Sequence, residues 1–108
     1  MTFPRLFAAG LAVGIAFGTT ACAQDRAADA EGLEIVSTYC ADCHAIGATG
    51  DSPFPPAPPF RELHLRYDVE FLSEALVEGI VTGHPDMPEF EFDPDQAAAI
   101  IAYLKSLE

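Results

Sequence analysis

Apolar residues recur at helical spacing in three stretches of the chain, and each stretch predicts an amphipathic helix. The first stretch starts near residue 31 and leads into a pair of cysteines; its apolar face is predicted to hold Leu33, Val36, Tyr39 and Cys40. Gly32 belongs to the same face. Because a glycine inside a helix costs about 1 kcal/mol relative to alanine, it indicates either a close helix crossing or a helix start.

The second stretch begins at Asp68, a residue type that caps helix N-termini well. Its acidic positions Glu70, Glu74 and Glu78 lie opposite the apolar ones, a pattern typical of a solvated surface rather than a metal site. The apolar face of this second helix is predicted to contain Phe71, Leu72, Ala75, Leu76, Gly79 and Ile80.

The third stretch opens with Asp93, Pro94 and Gln96, which supply an N-cap, a first-turn proline and the glutamine of a capping box. Its predicted core face consists of Ala97, Ile100, Ile101, Leu104 and Leu107. No segment alternates with period two for long enough to predict a strand, so the sequence predicts an all-α fold.

Two proline-containing loops separate the predicted helices. Gly47 and Gly50 end the first helical stretch, and five prolines follow within residues 53–59. Proline has no backbone N–H, so this run is stiff and leaves carbonyl oxygens available as acceptors. Gly83 ends the second stretch, and residues 84–90 form the second loop.

The chain has 108 residues, with 5 Lys and Arg against 17 Asp and Glu, which gives a net charge of −12. This length accommodates one small domain. Such a negative charge disfavours nucleic acid and anionic membrane surfaces as partners, and it favours proteins with a basic docking surface.

Residues 1–23 are predicted to be an export signal, since Arg5 precedes a 12-residue apolar run that ends at Phe17, and Ala21-Cys22-Ala23 has the small residues of a cleavage site. Twelve residues are too few to span a bilayer comfortably. The predicted organisation is therefore a signal at 1–23, a flexible leader at 24–30 and one domain at 31–108, exported to the periplasm.

Whether the protein is anchored to a membrane depends on the fate of Cys22. Cleavage after Ala23 removes this cysteine, whereas lipid attachment at Cys22 would anchor the protein. Bacterial lipoprotein signals usually have Leu three positions before the cysteine, and Thr19 stands there. An uncleaved signal is the third possibility, so a membrane contact is expected only with a lipidated Cys22 or a retained signal.

The motif with the most specific chemistry is Cys40-Ala41-Asp42-Cys43-His44, the C-x-x-C-H pattern of covalent c-type haem attachment. On a helix, Cys40, Cys43 and His44 share one face, so two thiols can reach the vinyl groups of one porphyrin while the imidazole ligates iron. A zinc site would need a second ligand pair, and a thioredoxin-like motif would need a βαβ pattern; the sequence contains neither.

Met87 is the candidate for the second iron ligand. It is the only methionine left after signal removal, and it lies in a loop with Pro88, 43 residues after His44. An isolated methionine is usually core filler, but one in a proline-braced loop has less reason to be so. His84 and His64 are the alternative ligands.

These features together resemble class I cytochrome c, most closely its small bacterial electron-carrier members. The resemblance is strongest at residues 40–44, at Met87-Pro88 and at residues 101–105. It implies three main helices wrapped around one covalently bound haem c, with the first and last helices crossing near Gly32 and Tyr103.

The resemblance also assigns two further residues to the haem site. Pro58 matches the proline whose carbonyl holds the proximal histidine, and Phe60 matches an apolar residue against the ring. The proline run is heavier than the family pattern, so which carbonyl meets His44 stays open.

The function implied by the resemblance is single-electron transfer between respiratory redox enzymes on a His/Met-ligated haem, without catalysis. Two alternatives differ in kind. One is a fixed haem subunit of a dehydrogenase or reductase complex, and the other is a gas-binding or peroxidatic haem protein with an open sixth position on iron.

Overall fold

A computed structural model of the protein describes residues 2, 4, 5, 7–15, 20–79 and 84–108. Over these residues the secondary structure is helical, with no strand, as the apolar periodicity predicted. Ile80 and Gly83, predicted at the end of the second helix, lie outside the described residues. The elements are α1 (Thr20–Tyr39), 3-10 helices at Phe60–Leu65 and Val69–Phe71, α2 (Leu72–Glu78) and α3 (Pro94–Ser106).

The first and last helices cross at Gly32. A Cβ atom added there would overlap the carbonyl oxygen of Ala99 and would lie 2.6 Å from the Cβ of Tyr103. Real Cβ atoms essentially never come that close to another heavy atom, so the crossing requires glycine. Gly32 therefore marks a close helix crossing and not a helix start, since α1 begins twelve residues earlier.

The buried face of α1 differs from the predicted one. Ile35 and Val36 are buried with Gly32 against α3, whereas Leu33 and Tyr39 are 43 % and 47 % exposed. Because α3 packs on Gly32, the residues that face the core are those three and four positions further along the helix. Leu33 is the next residue after Gly32 and therefore points away from α3. The Tyr39 ring stays at the edge of the core.

Residues 24–30, predicted to be a flexible leader, are helical in the structure as part of α1. The segment is mostly exposed and contains Ala, Gln and Arg, which have high helix propensity. Adding residues to an already formed helix costs little compared with nucleating one, so α1 extends backwards without core contacts. The signal boundary after Ala23 stays a prediction.

The apolar N-terminal residues of the described range are exposed, among them Phe7, Leu11 and Ile15. None of the helices within the described residues combines the length and the apolar character needed to cross a membrane.

Asp68 caps the second helical segment as predicted, since its Oδ1 accepts the Glu70 N–H at 3.0 Å. The first turn is a 3-10 helix, and its three-residue turn changes which side chains face inward. Val69 is therefore buried at 1 % exposure, while Phe71, predicted as core, is 77 % exposed. Leu76 of α2 is buried as predicted.

The acidic side of this segment is exposed, as predicted for Glu70, Glu74 and Glu78. Glu70 also pairs with Lys105 near the end of α3. The hydrogen bond to Glu70 raises the pKa of Lys105. This pair connects the last helix to the 3-10 helix before α2.

The capping box of α3 is fully formed. Asp93 Oδ1 accepts the Gln96 N–H at 2.8 Å, and Gln96 Oε1 accepts the Asp93 N–H at 3.1 Å. The helix buries Ala97, Ala99, Ile100, Ile101, Tyr103 and Leu104. The predicted core face of α3 is thus buried, apart from Leu107, which is partly exposed.

Candidate functional site

The cysteine motif follows α1 directly as a series of hydrogen-bonded turns. The Cys40 N–H donates to the Val36 carbonyl at 2.9 Å, and the His44 N–H donates to the Cys40 carbonyl at 2.9 Å. These turns bring Cys40, Cys43 and His44 to the same side of the segment. All three side chains line a single cavity, and the two thiols are not bonded to each other.

The cavity has a volume of about 560 Å³, within the range of about 300–1,000 Å³ that small-molecule and cofactor sites occupy. Apolar side chains from every main helix form its walls. Tyr39 comes from α1, Leu72 and Leu76 come from α2, and Ile100 and Leu104 come from α3. The helices thus enclose one apolar space with the cysteine motif in its wall.

Burial raises the pKa of the Cys40 thiol to about 11. In the folded chain without its thioether bond, this sulfur is therefore a neutral thiol at neutral pH. A neutral thiol in an apolar wall is compatible with a structural attachment point. A redox-active C-x-x-C cysteine would instead have a lowered pKa.

His44 is fixed by the proline-rich loop. Its Nδ1 lies 2.8 Å from the carbonyl oxygen of Pro58. A carbonyl can only accept, so Nδ1 carries the hydrogen and Nε2 is left as the nitrogen able to bind a metal. Among the prolines of residues 53–59, the structure selects Pro58, the one that the resemblance indicated.

Phe60 supports the His44 ring from the side. The two ring centroids are 4.8 Å apart with an angle of 38° between the planes, and Phe60 is 8 % exposed. Phe60 also lines the cavity, as an apolar residue against a porphyrin would. A ring held by one hydrogen bond and one aromatic contact keeps a fixed orientation.

Met87 lies in the wall of the same cavity as His44 and is half-buried. Its N–H donates to the His84 carbonyl at 3.2 Å, which closes a turn. The loop is fixed to the core where the Phe92 N–H donates to the Leu76 carbonyl at 2.8 Å. The fold thus brings the predicted thioether and imidazole, 43 residues apart in sequence, to one cavity.

Gly79 and Glu89 lie at the base of this loop. Gly79 has φ = +106°, a conformation that side chains with a Cβ rarely adopt. A Cβ at this position would lie 2.7 Å from Glu89 Oε1. The positive φ at Gly79 therefore favours glycine at the end of α2, whereas the Glu89 carboxylate could move aside.

The two alternative histidine ligands are placed differently. His84 lines the cavity, and its ring packs edge-on to Phe54 with centroids 6.2 Å apart. His64 is half-buried on the 3-10 helix Phe60–Leu65 and is not among the residues that line the cavity. Of these two histidines, His84 is the one that shares the cavity with Met87.

Sequence reasoning did not single out Arg66 and Tyr67, which also line the cavity. The one sequence feature that could have indicated a role in the site is that Arg66 is a basic residue in a strongly acidic chain, eight positions after Pro58. The donor set of the cavity fits haem, because it combines apolar walls, two thiols, an imidazole and a thioether with a cation suited to porphyrin carboxylates.

Comparisons with known proteins identify the family. The sequence profile of the family "Cytochrome c" matches residues 30–108. Cytochrome c-552 from Bradyrhizobium diazoefficiens is 34 % identical over 82 residues, which cover 75 % of this chain and 77 % of the relative. No solved structure matches the chain significantly. The chain belongs to the cytochrome c family of haem electron-transfer proteins, and its haem c is attached covalently through Cys40 and Cys43.

Proposed function

We propose that the protein is a periplasmic electron carrier, not an enzyme, in which His44 and Met87 are the two axial ligands of the haem iron. The observation that carries this proposal is that both side chains line one cavity whose wall also holds Cys40 and Cys43. The Pro58 carbonyl fixes the imidazole tautomer that leaves Nε2 available.

The bound haem supplies reversible one-electron chemistry. His44 provides a nitrogen ligand whose basicity is increased by the hydrogen bond from Nδ1 to Pro58. Met87 provides a soft sulfur, which favours ferrous iron and raises the reduction potential. Phe60 and the apolar walls surround the imidazole with apolar side chains. With both ligands kept in each oxidation state, little rearranges when an electron moves.

The function is tested by the visible spectra of the wild-type protein with and without carbon monoxide. We expect the weak ferric charge-transfer band of sulfur ligation, and a ferrous spectrum that carbon monoxide leaves unchanged, because no coordination position is open. Rapid carbon monoxide binding by the wild-type protein would contradict the carrier proposal and would favour a gas-binding or peroxidatic protein.

Export to the periplasm is supported by the pattern of residues 1–23, which has a basic start, an apolar run and small residues at the end. Cys22 is exposed in the first turns of α1. The intact mass of the protein purified from cell fractions tests this proposal. Cleavage after Ala23, a lipid on Cys22 and a retained signal give three different masses, and a full-length mass in the cytosol would contradict export.

We infer that the redox partners present basic docking surfaces. The chain carries a net charge of −12, and exposed carboxylates such as Glu74 and Glu78 contribute to its acidic surface. Opposite charges accelerate association, and salt screens them once the Debye length falls below about 10 Å.

The association rate with a basic redox partner is therefore expected to fall steeply as ionic strength rises. Stopped-flow mixing of the reduced protein with candidate oxidases or reductases at several salt concentrations measures this dependence. The same panel identifies the partner that accepts electrons fastest. A rate that does not change with salt would mean that docking is apolar and that the acidic residues serve solubility.

A further inference from the structure

Ala45, the residue directly after His44, is buried and bonded on both sides to the following loop. Its N–H donates to the Ser52 hydroxyl oxygen at 3.0 Å. Its carbonyl accepts the Phe60 N–H at 2.9 Å. The backbone next to the imidazole is thus held by two hydrogen bonds from the loop that also carries Pro58.

Ser52 accepts the first backbone N–H after the turns of the cysteine motif. The N–H of His44 still donates to the residue four positions earlier, but the N–H of Ala45 turns to the Ser52 side chain instead. Gly50 makes this possible, because its φ of +94° reverses the loop two residues before Ser52. A side-chain hydroxyl therefore holds the backbone directly after the cysteine motif.

We propose that Ser52 is a positioning residue for His44 and that it tunes the reduction potential through the hydrogen bond between His44 and Pro58. The Ser52–Ala45 bond holds the start of the loop, and the Ala45–Phe60 bond holds its end. Pro58 lies two residues before Phe60, in the loop that these two bonds hold together with the bond from the Phe54 N–H to the Cys43 carbonyl at 3.1 Å. The inference rests on the axial role proposed for His44.

The expected change in reduction potential follows from the basicity of the His44 imidazole. A short Nδ1–H···O bond to Pro58 increases the electron density on the imidazole, which stabilises ferric iron more than ferrous iron. Loss of the Ser52 hydroxyl leaves the Ala45 N–H without its acceptor and loosens the start of the loop, although the Phe54 and Phe60 N–H bonds remain, so we expect the His44–Pro58 bond to weaken. A weaker bond makes the imidazole a poorer donor, and the reduction potential rises.

The test compares the holoprotein variants Ser52→Ala and Ser52→Val, which lack the hydroxyl, with Ser52→Thr, which keeps it. Ser37→Ala is the matched control, since Ser37 Oγ donates to the Leu33 carbonyl on the exposed side of α1. Redox titration gives the potential, and NMR of the ferrous protein gives the solvent exchange of the His44 Nδ1–H.

Ser52→Ala and Ser52→Val are expected to raise the potential and to accelerate exchange of the His44 Nδ1–H by about five- to tenfold, the factor of one ordinary hydrogen bond. Ser52→Thr and Ser37→Ala are expected to match the wild type in both measurements. If Ser52→Ala does not assemble with haem, Ser52→Val and Ser52→Thr still provide the test. These two side chains have nearly the same volume, so a difference between them reports the effect of the hydroxyl.

An unchanged potential and exchange rate in Ser52→Ala or Ser52→Val would overturn the proposal, as would a Ser52→Thr protein that behaves like Ser52→Val. A different result is expected if His44 does not ligate the iron. In that case the wild-type ferrous protein itself lacks histidine ring protons shifted strongly by the porphyrin ring current, whatever the Ser52 variants do.

Discussion

Met87→Ala is expected to lower the reduction potential and to let carbon monoxide bind the ferrous protein readily. The variant keeps the thioether bonds through Cys40 and Cys43 and the ligand His44, but it loses the soft sulfur that favours ferrous iron. The potential should fall by on the order of 0.1 V or more, because axial ligands span about 0.8 V across haem proteins. Redox titration and ferric spectra measure both effects.

His84→Ala is the control for Met87→Ala, since His84 lines the same cavity and lies three residues earlier in the loop. It is expected to keep the sulfur charge-transfer band and the wild-type potential. If His84→Ala loses the band and Met87→Ala keeps it, the ligand assignment is wrong. The loop at Met87 would then be a packing feature.

Gly32→Ala is expected to destabilise the holoprotein by about 3 kcal/mol or more, at the upper end of overpacking costs. The added Cβ meets the Ala99 carbonyl oxygen, which is backbone, and lies 2.6 Å from Tyr103 Cβ. Neither neighbour can rotate away, so α1 and α3 must separate. Denaturant unfolding of the holoprotein, followed by far-UV circular dichroism, measures the change.

Gly47→Ala provides the matched control for the helix crossing. A Cβ at Gly47 meets no atom within 4 Å, and Gly47 does not have a positive φ. We expect its free energy of unfolding to stay within about 0.5 kcal/mol of the wild type, as for ordinary surface substitutions. Equal losses in both variants would mean that the helix crossing tolerates a methyl group.

Features determined by neighbouring residues could be predicted from the sequence. The capping box at Asp93 and Gln96 is formed as predicted, because both partners lie within one turn. The Cys40–His44 spacing likewise fixes a shared face once the segment is helical. The Pro58 carbonyl was a harder case, since residues 53–59 offered several acceptors, and the resemblance indicated Pro58 without deciding between them.

Features determined by distant contacts could not be predicted in the same way. The exposure of Leu33 depends on where α3 crosses α1, and the exposure of Phe71 depends on a 3-10 turn that apolar periodicity does not reveal. Arg66 and Tyr67 reach the cavity only through the path of the loop between Pro58 and α2. The Ser52–Ala45 bond depends on the reversal at Gly50.

The crossing of α1 and α3 also has a consequence for folding kinetics. Gly32 meets Ala99 across 67 positions of the chain, so this contact closes a loop that contains the cysteine motif, the proline run and Met87. Such a non-local contact slows folding relative to a bundle of sequence-adjacent helices, although its entropic cost grows by only about 0.6 kcal/mol per doubling of loop length. Ile100 and Leu104 of α3 are cavity walls, so undocking of the last helix opens the haem site in the same step.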